Sequence, residues 1–390
     1  MLSNRVQRIK PSPTLGLSVR VNQLKAQGRD IINLGLGEPD FDTPQPIKEA
    51  GIKAINEGYT KYTAVEGLLN LRKAVVEKFK RENHLAYTVD QVLISLGSKQ
   101  GIYNLAQAIL NDGDEAIIPA PYWVSYLDIV LLAGGVPVTL STDIKNHFKI
   151  TPQQLSDAIT PKTKLLILNS PNNPSGMMYS KQELMALGEV LKKHPSIVIA
   201  SDDMYEHIQW TGENFCNILN ACPALSSRAL VFNGVSKTYA MTGWRIGYCA
   251  GPKEIITAMT NIQSQSTSSA NAMAQMAAES ALQGSQDCVE AMRRAYQKRH
   301  DFLVKALNEI PGVNCLASSG SFYIFPDFSE FMTRHQDIKD DLALAEYFLM
   351  KANVAVIPGS AFGVPNCMRI SFVVEIDKLG EAVDRIKQLI

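Results

Sequence analysis

Short apolar runs alternate with helical patterns between about residues 65 and 255, and this alternation is typical of βαβ units around a mostly parallel sheet. The runs predict buried strands at residues 92–96, 116–118, 165–168, 197–200, 229–232 and 244–248. Between the first two strands, one stripe of a predicted helix carries Ile102, Leu105, Ala106 and Ile109. Capping boxes at residues 151–154 and 180–183 predict the starts of two further helices.

The pattern changes after Pro252, where two long helices are predicted at about 253–283 and 286–310. Strands are then predicted at 322–325, 354–357 and 368–372, with one helix at 342–348 and a closing helix through Leu379, Val383 and Ile386. This return to mixed strands and helices predicts a second, smaller α/β domain, which the N-terminal segment is expected to join.

Length and composition exclude several classes of protein. The chain has 390 residues, and about 150 residues per domain makes two domains the first expectation. Its 38 basic and 38 acidic side chains are interspersed, so we expect no nucleic-acid partner. No apolar run approaches the roughly 18 residues of a membrane helix and the first residues lack a signal-peptide pattern, so we expect a cytoplasmic protein without a membrane partner. The six scattered cysteines predict neither disulfides nor a metal site.

Polar residues directly after the strands are the candidates for chemistry, because open parallel sheets bind ligands beyond the carboxyl ends of their strands. Residues 97–100 (GSKQ) enter a helix whose N-terminus favours an anion such as phosphate, although many such turns use Gly and Ser only to turn. Residues 169–176 (NSPNNPSG) contain more turn residues than a simple turn requires. Asp202 follows the next strand, with Tyr205 three residues later, and a helix-capping aspartate is the alternative.

Lys237 follows the predicted strand at 229–232, where burial lowers the pKa of a lysine and leaves a nucleophilic amine, whereas most lysines are solvated. Eight residues later, Arg245 lies in a run that should return to the same sheet, which brings a second cation near the anion-binding turn. An activated lysine, a carboxylate, an anion-binding turn and an arginine together match a pyridoxal phosphate site, which needs a Schiff-base amine, a pyridinium partner and phosphate anchors.

The chain resembles the pyridoxal-phosphate-dependent class I aminotransferases of fold type I, and within them the bacterial aspartate aminotransferase subgroup. The motifs that carry this resemblance are GEPDFDTP at 37–44, PYWVSY at 121–126, NSPNNPSG at 169–176, SKTYAMTGWRIGY at 236–248 and MRISF at 368–372. The resemblance runs from about residue 5 to the C-terminus. It implies an α/β fold with a large domain at 46–284, built on a mostly parallel sheet of the seven-stranded type flanked by helices. A small α/β domain of residues 1–45 and 285–390 is expected to close over the site.

The resemblance also implies a role for each candidate residue around the cofactor. Lys237 is expected to form the internal aldimine and to carry the proton between substrate and cofactor in a ping-pong reaction through aldimine and ketimine. Asp202 is expected to pair with the pyridine nitrogen, Tyr205 and Asn173 with the 3′ oxygen, and Trp123 with the ring face. The phosphate is expected to meet the backbone amides of Ser98 and Lys99, Ser236 or Gly234 nearby, and Arg245, and also Tyr62 from the partner subunit of a homodimer.

Amino-acid and 2-oxo-acid substrates share an α-carboxylate, which a guanidinium binds with two parallel hydrogen bonds. Arg369 matches the family residue with this role, together with Gly37 and Asn173, whereas without the resemblance a surface arginine at a strand edge is the better reading. These residues are expected to converge across the domain boundary, so that substrate binding closes the small domain and excludes water.

The residues that would bind the substrate side chain differ from those of the animal-type aspartate enzymes. Animal-type aspartate enzymes bind the distal carboxylate with an arginine in the segment matching 263–269, and this chain has none there. In the bacterial subgroup the matching residues are Lys99 and Thr14, with Ser12 nearby, so we expect aspartate as donor and 2-oxoglutarate as acceptor. Prephenate or aromatic amino acids are the alternative, because aromatic side chains at Trp123, Tyr62 and Phe362 could line an apolar slot.

Two further hypotheses use the same scaffold. A lyase would eliminate across Cα and Cβ with the same lysine and aspartate, because one cofactor permits both reactions. A catalytically silent binding domain is the non-enzyme alternative, and it predicts no amino transfer to any keto acid.

Overall fold

The computed structural model describes residues 1–11, 13–335 and 337–389. In chain order the strands are β1 (Ile32–Asn33), β2 (Val92–Ser95), β3 (Glu115–Pro119), β4 (Val136–Leu140), β5 (Thr163–Asn169), β6 (Val198–Asp202), β7 (Ala229–Gly234), β8 (Gly247–Ala250), β9 (Tyr323–Ile324), β10 (Val354–Ala355), β11 (Ile357–Pro358) and β12 (Met368–Ser371).

The helices connect and cover these strands. They are α1 (Asn4–Gln7), α2 (Pro13–Ala26), α3 (Gln45–Asn56), α4 (Leu69–Asn83), α5 (Ser98–Ile109), α6 (Ser125–Leu132), α7 (Pro152–Ala158), α8 (Lys181–Lys192), α9 (Ile218–Ala221), α10 (Val235–Thr238), α11 (Lys253–Ser264), α12 (Ala272–Gln283), α13 (Asp287–Asn308), α14 (Ser329–Thr333), α15 (Asp341–Tyr347) and α16 (Ile376–Lys387). Both capping boxes are confirmed, since the Thr151 and Ser180 side chains accept hydrogen bonds from the third backbone amide of α7 and α8.

The main sheet has seven strands in the order β2-β8-β7-β6-β5-β3-β4. Strands β3 to β7 run parallel to one another, while β8 runs antiparallel to its neighbours β2 and β7. The prediction of an α/β fold with a mostly parallel seven-stranded sheet and flanking helices is confirmed.

Both faces of this sheet are buried, and alternate residues of each strand enter different cores. On β5, Leu166 and Leu168 pack in one apolar cluster, whereas Leu165 and Ile167 pack in the other. Successive strand residues point to opposite faces, so a strand covered on both sides reads as a continuous apolar run. This burial explains why the apolar runs of the sequence predicted the central strands.

The second region of the fold joins residues from both ends of the chain. Strands β11, β12 and β9 form an antiparallel sheet in that order, and β1 pairs in parallel with β10. Ile32 and Leu34 share an apolar core with side chains of α13 and α16. The N-terminal segment therefore packs with the C-terminal third of the chain.

Three predicted elements have different bounds in the structure. The strand predicted at 354–357 is divided into β10 and β11, which belong to different sheets. The strand predicted at 244–248 begins at Gly247, because Trp244 ends a 3₁₀ turn and Arg245 has a left-handed backbone with φ 58°. The helix predicted at 253–283 is interrupted between α11 and α12, where Ser266 donates to the Ile262 carbonyl and Asn271 caps α12. Hydroxyl and amide side chains compete with helical hydrogen bonds in this way.

Among the helices of the described residues, none combines the length and the apolar character that crossing a membrane requires.

Candidate active site

The carboxyl ends of β2, β5, β6 and β7 meet at one edge of the main sheet, beside a pocket of about 440 Å³. Twelve of the thirteen predicted site residues line this pocket, namely Thr14, Gly37, Ser98, Lys99, Trp123, Asn173, Asp202, Tyr205, Ser236, Lys237, Arg245 and Arg369. Tyr62 is not among the lining residues and its side chain is almost fully exposed (93%). Ser12 lies outside the described residues.

Lys237 lies in the first turn after β7, on the short helix α10, and its Nζ donates to the Gly37 carbonyl at 2.5 Å. Burial lowers the pKa of the Lys237 amine to about 8, although the nearby Glu38 carboxylate acts in the opposite direction. A larger fraction of this amine is therefore unprotonated near neutral pH than of a solvated lysine. This is the state in which an amine acts as a nucleophile.

Asp202 ends β6 and is only 5% exposed. Its Oδ2 accepts a hydrogen bond from the Tyr126 hydroxyl at 2.6 Å, and its Oδ1 accepts one from the Met204 amide at 3.3 Å. Burial raises the pKa of Asp202 to about 6, against the effect of the Tyr126 hydrogen bond. The chain enters a turn rather than a helix after Asp202, so the helix-cap alternative is wrong.

The turn between β2 and α5 offers an anion site. Gly97 has a left-handed φ of 78°, and a Cβ there would lie 2.5 Å from a guanidinium nitrogen of Arg245. Ser98 begins the twelve-residue helix α5, and its Oγ is buried without a hydrogen-bond partner. An unpaired buried hydroxyl at a helix N-terminus next to an arginine is suited to a phosphate.

Arg369 on β12 faces the same pocket from the second sheet, and only 2% of the residue is exposed. Its guanidinium donates to Asn173 Oδ1 at 3.2 Å and to the Gly35 carbonyl at 2.7 Å, and its Nε is buried without a partner. The guanidinium carbon lies 4.5 Å from the centroid of the Tyr323 ring. Arg369 is thus a buried, oriented cation rather than the surface arginine of the alternative interpretation.

Lys99 lines the pocket from α5, which follows β2 of the main sheet, whereas the buried Arg369 lines it from the second sheet. Its Nζ is 4.9 Å from the centroid of the Trp123 ring, and burial together with the charge of Arg245 lowers the pKa of Lys99. Thr14 on α2 lines the pocket as well. The pocket therefore holds two separate cations in addition to Lys237 and Arg245.

Sequence reasoning missed several residues that hold the predicted ones in place. Tyr126 belongs to the PYWVSY motif but received no role, and it donates to Asp202. The hydroxyls of Tyr205 and Tyr323 lie 3.4 Å apart, and Glu38 accepts from the Thr242 hydroxyl at 2.9 Å. The motif position was a usable signal for Tyr126, whereas Tyr323 is indistinguishable in sequence from any buried strand residue.

The fold and the pocket together define a class of protein: an α/β enzyme whose chemistry centres on a lysine at the carboxyl edge of the sheet. The sequence profile of the family "Aminotransferase class I and II" matches residues 29–386. The chain is 56% identical to the aspartate/prephenate aminotransferase of Nitrosomonas europaea, over 100% of this chain and 99% of that protein.

Solved structures agree with this match. The aspartate aminotransferase of Rhizobium meliloti superposes with a TM-score of 0.95 at 43% identity, covering 100% of this chain and 98% of that one. The Thermus thermophilus aspartate aminotransferase with maleate superposes with a TM-score of 0.93 at 41% identity, covering 100% of both chains. The chain belongs to the class I and II aminotransferase family, and it is an aminotransferase that depends on pyridoxal phosphate.

Proposed function

We propose that the enzyme transfers the amino group of L-aspartate to 2-oxoglutarate. The observation that carries this proposal is the presence of Arg369 and Lys99 as two separate cations in one pocket with Lys237. A dicarboxylic substrate needs two such charges, one for each carboxylate. The names of the relatives support the proposal, and so does the structure of the Thermus thermophilus enzyme with the dicarboxylate maleate.

The pocket residues fit the cofactor. The unpaired Ser98 hydroxyl and the Arg245 guanidinium are suited to its phosphate, with Lys99 and Ser236 beside them, and the desolvated Asp202 carboxylate is suited to a protonated ring nitrogen. When bound, pyridoxal phosphate supplies an electron sink for the charge that develops at the substrate Cα. Trp123 would offer its ring face to the cofactor ring, and the polar groups of Tyr205 and Asn173 would hydrogen-bond the cofactor's 3′ oxygen.

Lys237 is proposed to act as the proton carrier as well as the cofactor anchor. An amine with a pKa of about 8 both accepts and donates a proton near neutral pH. Tyr126 and the Met204 amide hold the Asp202 carboxylate in place, so that its charge is oriented before substrate arrives.

The α-carboxylate is proposed to bind Arg369, with Asn173 and the Gly37 backbone beside it. Asn173 Oδ1 already accepts from the guanidinium, which orients the side chain toward the pocket. We also propose the division of the chain into a large domain, 46–284, and a small domain, 1–45 with 285–390, that closes over the pocket. The hydrogen bond between Glu38 and Thr242 crosses this proposed boundary and supports the idea that the two parts meet at the site when the small domain closes.

Replacing Lys99 by alanine is expected to lower kcat/KM for aspartate about ten- to a hundredfold, because a charged hydrogen bond to the distal carboxylate contributes about 1.5–3 kcal/mol. The same variant should retain most of its activity with an aromatic donor. The measurement is a panel of donors and acceptors tested on the wild type and on the variant, with Thr14→Val as a second variant of the distal site. No amino transfer from aspartate to 2-oxoglutarate by the wild type would refute the proposed substrates.

Prephenate as amino acceptor is the second candidate. The Nitrosomonas europaea relative is an aspartate/prephenate aminotransferase, and the Trp123 ring beside Lys99 offers an apolar surface next to a cation. The acceptor panel tests this candidate as well. Prephenate amination by the wild type at a rate comparable to that with 2-oxoglutarate would add prephenate to the proposed substrates.

We also propose that the enzyme is a homodimer in which Tyr62 reaches the phosphate site of the partner subunit. The 93% exposure of this large aromatic side chain supports the proposal. Sedimentation of the wild-type protein should give the mass of a dimer. Tyr62→Ala should weaken cofactor binding about tenfold, as expected for one lost hydrogen bond.

A mixing experiment tests the trans arrangement. Hybrids of Tyr62→Ala and Lys237→Ala subunits should contain one complete site, and cofactor affinity at that site should return to the wild-type value. Hybrids that bind the cofactor no better than the Tyr62→Ala parent would show that Tyr62 does not act across subunits.

A cytoplasmic location is proposed from the thiols. All six cysteines are free in the structure, including the buried Cys222, Cys249, Cys315 and Cys367. Reduced thiols are typical of a reducing compartment.

A further inference from the structure

A buried ion pair lies behind the active site, outside the pocket. Lys78 on α4 is fully buried (0% exposed), and its ammonium contacts the carboxylate of Glu206, which is 5% exposed. Neither residue lines the pocket, and neither takes part in the proposed chemistry.

The pair is completely hydrogen-bonded. Lys78 Nζ also donates to Asn83 Oδ1 at 2.7 Å, while Glu206 Oε2 accepts from Asn83 Nδ2 at 2.6 Å. Glu206 Oε1 accepts a further hydrogen bond from Asn233 Nδ2 at 2.7 Å. The network thus joins three elements: the end of α4, the turn after β6 and the end of β7.

Two of these elements carry residues of the active site. Glu206 directly follows Tyr205, and Asn233 Oδ1 accepts from the Gly234 amide at 2.7 Å, at the start of the turn that leads to Lys237. A second connection runs beside the first, because the His207 ring lies 3.2 Å from the Thr238 hydroxyl and 2.9 Å from Glu82 Oε2.

Stability does not account for this arrangement. Burying two charges costs several kcal/mol each, and replacing a buried ion pair by apolar residues is often neutral or stabilising. The carboxylates of Glu82 and Glu206 and the ring of His207 lie close enough to one another to hold a cation, but the Lys78 ammonium is already within 3.5 Å of Glu82 and contacts Glu206. The Lys78 ammonium therefore supplies the positive charge that a bound cation would otherwise supply here.

We propose that Lys78 and Glu206 are positioning residues, which fix the turn carrying Tyr205 against the turn carrying Lys237. Two turns at the ends of neighbouring strands can otherwise shift relative to each other, and a displacement of about 1 Å can cost on the order of a hundredfold in rate. The inference rests on the proposed function, because the roles of Tyr205 and Lys237 are taken from it.

The test is the double substitution Lys78→Met with Glu206→Leu in the full-length holoenzyme, which removes both charges of the buried pair, while Glu82 keeps its contacts with Arg81 and His207. We expect the variant to fold, with a urea midpoint below that of the wild type, because the buried amides of Asn83 and Asn233 lose hydrogen-bond partners. The absorption of its bound cofactor should titrate at a different pH, because the positions of Tyr205 and Lys237 relative to each other would no longer be fixed. The kcat should fall about ten- to a hundredfold, with the KM for the amino donor changed less than threefold.

The control is Lys253→Met with Asp90→Leu, a surface ion pair of 2.7 Å at the opposite end of the same sheet, which should leave the cofactor titration and kcat unchanged. A double variant with the wild-type titration and kcat would overturn the proposal. Should it fail to fold, Asn233→Ala removes one donor to Glu206 while keeping both charges, and an unaltered cofactor titration in that variant would equally overturn it. Failure of the proposed function itself is separate, since it would appear as absent amino transfer in the wild type.

Discussion

Replacing Lys237 by alanine is expected to abolish the borohydride-reducible adduct with pyridoxal phosphate and to lower amino transfer at least about 10⁴-fold. The Lys237 amine lines the pocket and donates to the Gly37 carbonyl, and burial brings its pKa to about 8. The variant loses both the covalent anchor and the proton carrier, so the two losses combine in one substitution. Mass spectrometry of the reduced protein measures the adduct directly.

The control for this variant is Lys253→Ala, a substitution of an exposed lysine at the far end of the sheet, which should keep the adduct and the rate. Circular dichroism and sedimentation of the Lys237→Ala protein should match the wild type, because α10 has only four residues and its loss of one side chain leaves the sheet intact. An adduct that survives in Lys237→Ala would assign the cofactor to another lysine, first of all Lys99.

The Arg369→Lys enzyme is expected to lose about ten- to a hundredfold in kcat/KM for every amino donor, whatever its side chain. Lysine keeps the charge but not the planar fork that binds a carboxylate with two hydrogen bonds. It would also leave the Gly35 carbonyl or Asn173 Oδ1 without its present donor, since Arg369 contacts both. Steady-state kinetics with aspartate and an aromatic donor provide the measurement.

Equal losses for both donors distinguish an α-carboxylate site from a side-chain site, because the α-carboxylate is common to all substrates. Arg294→Lys, at an exposed position of α13, is the matched control and should have wild-type kinetics. A loss restricted to aspartate would move Arg369 to the distal carboxylate, and unchanged kinetics would remove it from the binding site.

The sequence predicted the central part of the fold because burial on both faces makes β5 and β7 continuous apolar runs. It did not predict β4 (Val136–Leu140), because this strand lies at the sheet edge and its first residue is exposed. The hydrophobic pattern also did not predict that β8 runs antiparallel to β7, because an apolar run looks the same in a parallel and in an antiparallel strand.

The site was predictable to the extent that its residues follow strands. Lys237 and Asp202 lie directly after or at the end of β7 and β6, so the general rule for open sheets identified them. Tyr126 and Lys78 act through contacts with residues 76 and 128 positions away in the chain, and no local pattern records such pairs. Predicting them requires the packed structure.

The reversed strand β8 has a consequence for how this protein can vary. Because β8 runs opposite to β7, the eight-residue step from Lys237 to Arg245 returns the chain to the edge of the sheet that it has just left, without a crossover helix. Surface loops usually tolerate insertions well. Here an insertion would displace an amine and a guanidinium at once, so we expect related chains to differ in length almost anywhere else before they differ in this connection.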